Sequence, residues 1–168
     1  MAEPLALYVH WPFCVSKCPY CDFNSHVRES VDQDAWRAAL LGDLSHEAAL
    51  LPDRPVSSIF FGGGTPSLMP PETVAAVIAA ADDAWGLASD CEITLEANPN
   101  SVEVANFAAL AAAGVNRVSI GVQSFDPQIL RFLGRAHSGD EARRAIAAAQ
   151  AHFARVSFDL IYARPGQS

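Results

Sequence analysis

Tyr8-Val9-His10-Trp11-Pro12-Phe13-Cys14-Val15-Ser16-Lys17-Cys18-Pro19-Tyr20-Cys21-Asp22-Phe23 passes from an apolar run into a loop that holds three of the chain's four cysteines. The run Leu5–His10 is aromatic and aliphatic enough to predict a strand. After it, Cys14, Cys18 and Cys21 follow with C-x3-C-x2-C spacing. The spacing leaves three readings open. A structural zinc site usually takes four ligands. The fourth cysteine, Cys91, lies far along the chain at the start of another apolar run, but His10 and His26 flank the triplet. Three thiolates alone suit a [4Fe–4S] cluster with one iron open to an exogenous ligand. Three unliganded thiols are the remaining possibility.

Outward from this segment, further strand-like runs alternate with helical patterns. The predicted strands after the first are Ser57–Phe61, Cys91–Glu96, Arg117–Gly121 and Arg155–Ile161. Trp36, Leu40 and Leu44 recur at helical spacing, widened by Leu41, Ala48 and Leu51, and Pro52 stops the pattern. A second helix opens at Pro70-Pro71-Glu72 and ends near Trp85, with Gly86 as its C′ residue. A third opens at Ser101, carries Glu103 in its first turn, and ends before Gly114. A fourth starts at Asp126-Pro127 and stops near Gly134. An alanine-rich fifth runs from about Gly139 to His152.

This alternation predicts an α/β fold: βα units on a parallel sheet, curled by right-handed crossovers into an open or full TIM-like barrel. Ligands in such folds sit at the C-terminal ends of the strands. The cysteine loop, Gly62-Gly63-Gly64-Thr65-Pro66, Glu96-Ala97-Asn98-Pro99 and Gly121-Val122-Gln123-Ser124 all follow strands and so share one rim. The chain stops just past the fifth strand, which reads as a partial barrel truncated there, with an exposed sheet edge.

Composition narrows the function. Hydrophobic residues make up 51% and charged residues 18%, a globular balance. The formal net charge of −8 argues against nucleic-acid binding, which needs basic patches. No basic leader precedes the first strand, and no run reaches the roughly 18 to 20 apolar residues of a membrane span. The chain reads as cytoplasmic, where its cysteines stay reduced unless a metal takes them.

The whole neighbourhood Tyr8–Phe23 closely resembles the opening of radical S-adenosylmethionine (SAM) proteins. More narrowly, it resembles the group that holds the oxygen-independent coproporphyrinogen III oxidases and the HemW-type heme chaperones. The resemblance implies a [4Fe–4S] cluster on Cys14, Cys18 and Cys21, with SAM on the open iron. It implies SAM contacts at Gly63, Gly64 and Thr65 of the GGGTP-like loop, at Glu96 of an E-x-N-P-like turn (ribose hydroxyls), and at Gln123 of a G-x-Q-S-like segment. Arg135 would face a SAM carboxylate, Asp159 would reach the SAM site from the fifth strand, Tyr8 would lie near the methionine, and the Tyr20 backbone would meet the adenine. The resemblance spans Leu5 to Ser168 and reads residues 1–168 as one radical SAM core domain, incomplete, with a C-terminal domain outside this chain. One departure is visible: the family's Tyr-Gly-Leu-Pro-Gly-Gln-Thr is Tyr162-Ala163-Arg164-Pro165-Gly166-Gln167-Ser168 here.

Within that group, the oxidases resemble C-x3-C-x2-C-x-C. Phe23 stands where they carry the further cysteine, and Cys21-Asp22-Phe23-Asn24-Ser25 resembles the chaperone branch. The resemblance therefore implies a heme chaperone of tetrapyrrole metabolism, with heme as a possible further cofactor. Its implied partners are SAM, heme or another tetrapyrrole, a reductant protein and heme-recipient proteins. The alternative is the oxidase, which converts propionates to vinyl groups through a 5′-deoxyadenosyl radical. A zinc-stabilised binding module is the third reading. Cys91 is expected to be a small buried hydrophobe. His46, His137 and His152 are expected to be solvated or locally satisfied, and His10 and His26 to be structural.

Overall fold

The computed structural model describes residues 3–167 of the chain. Met1 and Ala2 of the lead-in, and Ser168 at the end of the closing stretch, lie outside the described residues.

Strand β1 (Leu5–Trp11) is followed by two short strands, β2 (Phe13–Cys14) and β3 (His26–Val27). Helix α1 (Gln33–Leu50) comes next, capped by the Asp32 side chain accepting from the Ala35 amide at 3.0 Å. Then come β4 (Val56–Gly63), a 3₁₀ turn at Pro66–Leu68, α2 (Pro71–Trp85) and β5 (Leu87–Ala97). The predicted Gly86 takes φ 74° at the end of α2, the left-handed conformation that glycine adopts without penalty. Helices α3 (Ser101–Ala105) and α4 (Phe107–Ala112) precede β6 (Arg117–Gln123). Helices α5 (Pro127–Phe132) and α6 (Gly139–His152) lead to β7 (Arg155–Leu160).

Five strands form one sheet in the order β1-β4-β5-β6-β7, every neighbour parallel. Sequence order equals spatial order, as successive βα units demand. One sheet face packs against helices. Ile59, Phe61, Leu95, Val118 and Ile120 are fully or nearly fully buried there, with Val74, Val77, Phe107, Leu110, Ala142 and Ala149 in the same core. Each large side chain so buried contributes roughly 1.5–3 kcal/mol. Cys91 belongs to this core, as a small hydrophobe should.

The opposite face is polar. Glu92 accepts from Arg155 at 2.8 Å and lies 3.7 Å from Arg117, and Arg117 also donates to Thr94 and Ser157. Farther along the same strands stand Glu96, Gln123 and Asp159, at the C-terminal rim. Alternation along each strand thus sends apolar residues to the helices and polar ones to the barrel interior.

Two elements differ from expectation. The single helix predicted from Ser101 is two, broken at Asn106, whose backbone sits between two helical turns. Strand β5 begins at Leu87 rather than Cys91, because its pairing with β4 jumps between Val56↔Leu87 and Ser58↔Glu92. The closing stretch forms a turn in which the Arg164 and Gln167 backbones and the Gln167 side chain bond one another, with Gly166 at φ 76°. Arg164 is half-buried in that turn.

Candidate functional site

The cysteine loop is pinned at both ends. Strands β2 and β3 pair Phe13 with His26 and Cys14 with Val27. The His26 amide donates to the Pro12 carbonyl at 2.6 Å, and the Cys21 amide to the Cys18 carbonyl at 3.0 Å. The His10 ring ties the loop to β1, with Nδ1 3.0 Å from the Tyr8 hydroxyl and Nε2 2.9 Å from the Asn24 carbonyl oxygen. Sequence periodicity gave no sign of this closure.

The glycine loop is a seat for that segment. The Gly64 amide donates to Trp11 O at 2.6 Å, and the Thr65 amide to Phe13 O at 2.9 Å. A Cβ on Gly64 would stand 2.7 Å from Phe13 O and 3.0 Å from Cys14 Sγ. Only glycine permits this approach. Two of the loop's amides thus bind the cysteine-bearing backbone. The Thr65 hydroxyl reaches Cys14 Sγ at 3.5 Å.

All three cysteines are free thiols and line one cavity of about 380 Å³. Gly63, Gly64, Thr65, Tyr20, Glu96, Gln123, Arg135 and Asp159 line it too. Tyr8 does not: its hydroxyl turns to His10 and its ring stacks near Phe60, although the Glu96 carboxylate is close enough to raise its pKa beside the larger effect of desolvation. His10 and His26 also lie outside the cavity, so neither completes a zinc site with the triplet there. Among the described residues no group of three or more His, Cys, Asp or Glu side chains stands ready to hold a metal ion. The donor chemistry nonetheless fits a cluster: three thiols, two of them beside hydrogen-bond donors, facing a cavity with no fourth protein sulfur.

Arg135 spans the cavity wall. Its Nη1 donates to Cys18 Sγ at 3.3 Å, and its Nη2 to Asn98 Oδ1 at 2.6 Å and Gly121 O at 2.7 Å. Gly134, at φ 66°, brings the arginine there; a Cβ on it would meet Pro19 Cδ at 2.6 Å. Burial pushes the Tyr20 hydroxyl up to about 12, with Arg135 pulling the other way and Cys18 adding to the rise. Glu96 is likewise raised by desolvation, opposed by the Gly63 backbone and reinforced by Asp159. Gln123 takes φ 66°, a conformation uncommon for a side-chain-bearing residue, and its carbonyl accepts from the Ile161 amide.

Sequence reasoning passed over Asn98 and Glu103. Asn98 bonds Thr65, Glu103 and Arg135, and Glu103 is 1% exposed. A glutamate three residues after Asn100 reads as ordinary capping chemistry, and its inward aim leaves no mark in the sequence. Phe23 lines the cavity and is 59% exposed.

A parallel βα sheet thus gathers three thiols, a guanidinium and acidic side chains at its C-terminal rim. The sequence pattern of the Radical SAM superfamily matches residues 8–168, and the chain belongs to that superfamily. Membership implies a [4Fe–4S] cluster and SAM. The chain is 50% identical over 167 residues to bovine (Bos taurus) "Radical S-adenosyl methionine domain-containing protein 1, mitochondrial", covering 99% of this chain and 38% of that protein. It is 46% identical to "Heme chaperone HemW" of Escherichia coli, covering 98% of this chain and 44% of that one. Among solved structures, the E. coli coproporphyrinogen III oxidase (HemN), described as a radical SAM enzyme, superposes with TM-score 0.84 at 32% identity, covering 95% of this chain and 37% of that one. The chain thus spans about two fifths of the length of these relatives. No helix among the described residues is long and apolar enough to cross a membrane.

Proposed function

We propose that this chain forms the cluster- and SAM-binding core of a heme chaperone. One observation carries the core of the reading: Cys14, Cys18 and Cys21 face a single cavity with Glu96, Gln123, Arg135 and Asp159 on its walls. Cys14, Cys18 and Cys21 would hold three irons of the cluster. When bound, the cluster would supply an electron to SAM at its open iron. The remaining work belongs to the chain's own side chains. Arg135 presents a planar guanidinium that suits a carboxylate. Glu96, raised but positioned on the rim, offers oxygens to ribose hydroxyls. Gln123 and Asp159 line the same cavity and would contact SAM, and the Tyr20 backbone would meet the adenine. Tyr8, outside the cavity in this form, would approach the methionine from β1.

The heme-handling part is supported by the similarity to the E. coli heme chaperone and by Phe23, an exposed aromatic where the oxidases carry a cysteine. Heme, a reductant protein and heme-recipient proteins are the partners this reading requires. The oxidase reading is kept as a second one because the HemN structure superposes over nearly the whole chain. Anaerobic reconstitution should give a brown protein with about four iron and four sulfide per chain; stoichiometric zinc instead overturns the cluster. Cys18→Ala should abolish cluster binding while leaving the circular dichroism of the fold intact. Heme titration with a Soret readout tests the chaperone. Vinyl product from coproporphyrinogen, SAM and a reductant would replace it with the oxidase.

A further inference from the structure

Glu103 is buried, and the groups around its carboxylate are donors. The Asn98 backbone amide donates to Oε2 at 2.6 Å and the Ser67 hydroxyl donates to the same oxygen, while Asn98 Nδ2 and Asn100 Nδ2 donate to Oε1 at 3.2 and 2.6 Å. Ser67 comes from the turn after β4, and both asparagines come from the turn after β5. Capping does not account for this. The helix N-cap bond runs the other way, from the Glu103 amide to Asn100 Oδ1, and α3 is only five residues long.

The bond to Asn98 sets a direction. An amide side chain has one acceptor end and one donor end. Asn98 Nδ2 is engaged by Glu103 Oε1 and, at 3.4 Å, by Thr65 Oγ1. That leaves Oδ1 facing Arg135 Nη2 at 2.6 Å. The reversed amide would set an NH₂ group against the guanidinium and an oxygen against the carboxylate, losing both bonds. Arg135, so oriented, reaches Cys18 Sγ.

We propose that Glu103 is a positioning residue of the SAM site: it fixes the Asn98 amide so that its oxygen meets Arg135, and so holds the guanidinium beside Cys18 in the cavity. The proposal rests on the SAM-site reading above for its effect on binding, but not for its effect on Arg135. A purely structural glutamate would treat Ser67, Asn98 and Asn100 alike. A positioning one singles out Asn98.

Glu103→Gln turns one acceptor into an NH₂ group. The Asn98 backbone N–H cannot change ends and holds the glutamine oxygen at the Oε2 position, so the glutamine NH₂ faces Asn98 Nδ2; the Asn98 amide then reverses and turns its own NH₂ toward Arg135. Adding Asn98→Asp restores an acceptor toward Arg135, and the amide introduced by E103Q then donates to the second carboxylate oxygen. Two measurements on the full chain read this out. One is SAM affinity of the anaerobically reconstituted protein by equilibrium dialysis. The other is the set of slowly exchanging Arg135 Nη resonances by ¹⁵N NMR of the cluster-free protein. E103Q should weaken SAM binding at least about tenfold, the loss of one charge-assisted hydrogen bond, and erase the Nη resonances. The E103Q/N98D pair should recover both, and Ser67→Ala and Asn100→Ala should keep both within about twofold. Wild-type behaviour of E103Q overturns the proposal, as does an equal loss in S67A or N100A, or a folded double variant without recovery. Should E103Q not fold, Asn98→Ala decides: retained Nη resonances overturn the proposal, and lost ones support it. A wild-type chain that binds no SAM would sink the SAM-site reading, while the Nη resonances still judge Glu103.

Discussion

At the scale of single residues, the rim holds groups whose ionisation burial disfavours. Burial raises Glu96, so the folded chain is most stable with that carboxyl protonated. Stability from this group is lost as pH climbs from the usual carboxylate value through the raised folded one. Glu96→Gln should therefore unfold at an equal or higher urea midpoint at pH 7, while SAM affinity drops about tenfold or more, the order of one charge-assisted hydrogen bond. A variant less stable than wild type would contradict the sign. His137 obeys the same rule with the opposite shift. Its ring is buried, and desolvation, then Arg135, lowers its pKa, while its Nε2 lies 3.0 Å from the Val122 carbonyl oxygen. The unfolded chain takes up this proton first, so stability falls as pH drops below about 6.5. His137→Gln can keep a donor to Val122 and should flatten the decline in urea midpoint between pH 7.5 and 5.5; an unchanged decline would assign it to other groups.

Secondary-structure elements show which parts of the sequence speak for themselves. Helix α6 begins with a full capping box: the Glu141 amide donates to Ser138 Oγ at 3.2 Å, and the Ser138 amide to Glu141 Oε2 at 2.7 Å. Ser138→Ala should lower stability by about 1 kcal/mol in urea unfolding; no change would mean that packing against the sheet alone holds the helix start. That box was not singled out in the sequence, whereas the Asp126-Pro127 helix start, the other helix-start prolines and Gly86 were legible, and so were the five long strands. The start of β5 was not, because Ser89-Asp90 interrupts the apolar run and only pairing with β4 extends it. The break at Asn106 was hidden by continuous alanine-rich periodicity. Strands β2 and β3 are two residues each, too short for any period to show. The gathering of residues at one cavity was legible from spacing at the cysteines, and only through the family resemblance at Glu96 and Arg135. The sequence was silent where the chemistry lies in an orientation, as with the Asn98 amide and the inward turn of Glu103.

For the whole molecule, strand order equal to sequence order leaves β1 and β7 as the two sheet edges. On and beside β7, Phe158, Leu160 and Tyr162 are 43%, 53% and 81% exposed, an apolar edge able to pair with another chain. The 168-residue chain alone should self-associate as its concentration rises, and Leu160→Lys should hold it monomeric in sedimentation velocity. Equal sedimentation of both at all concentrations would mean that the net charge of −8 already keeps the edges apart.

The short β2–β3 pair has a thermodynamic meaning for metal uptake. Bringing the ends of a flexible loop of about a dozen residues together costs about 2 kcal/mol in chain entropy. Here strand pairing closes such a ring, with Phe13 against His26 and Cys14 against Val27. Three thiols on one closed loop would act as a tethered chelate, each raising the effective concentration of the next. A cluster held on Cys14, Cys18 and Cys21 would then draw on chain entropy that strand pairing has already spent.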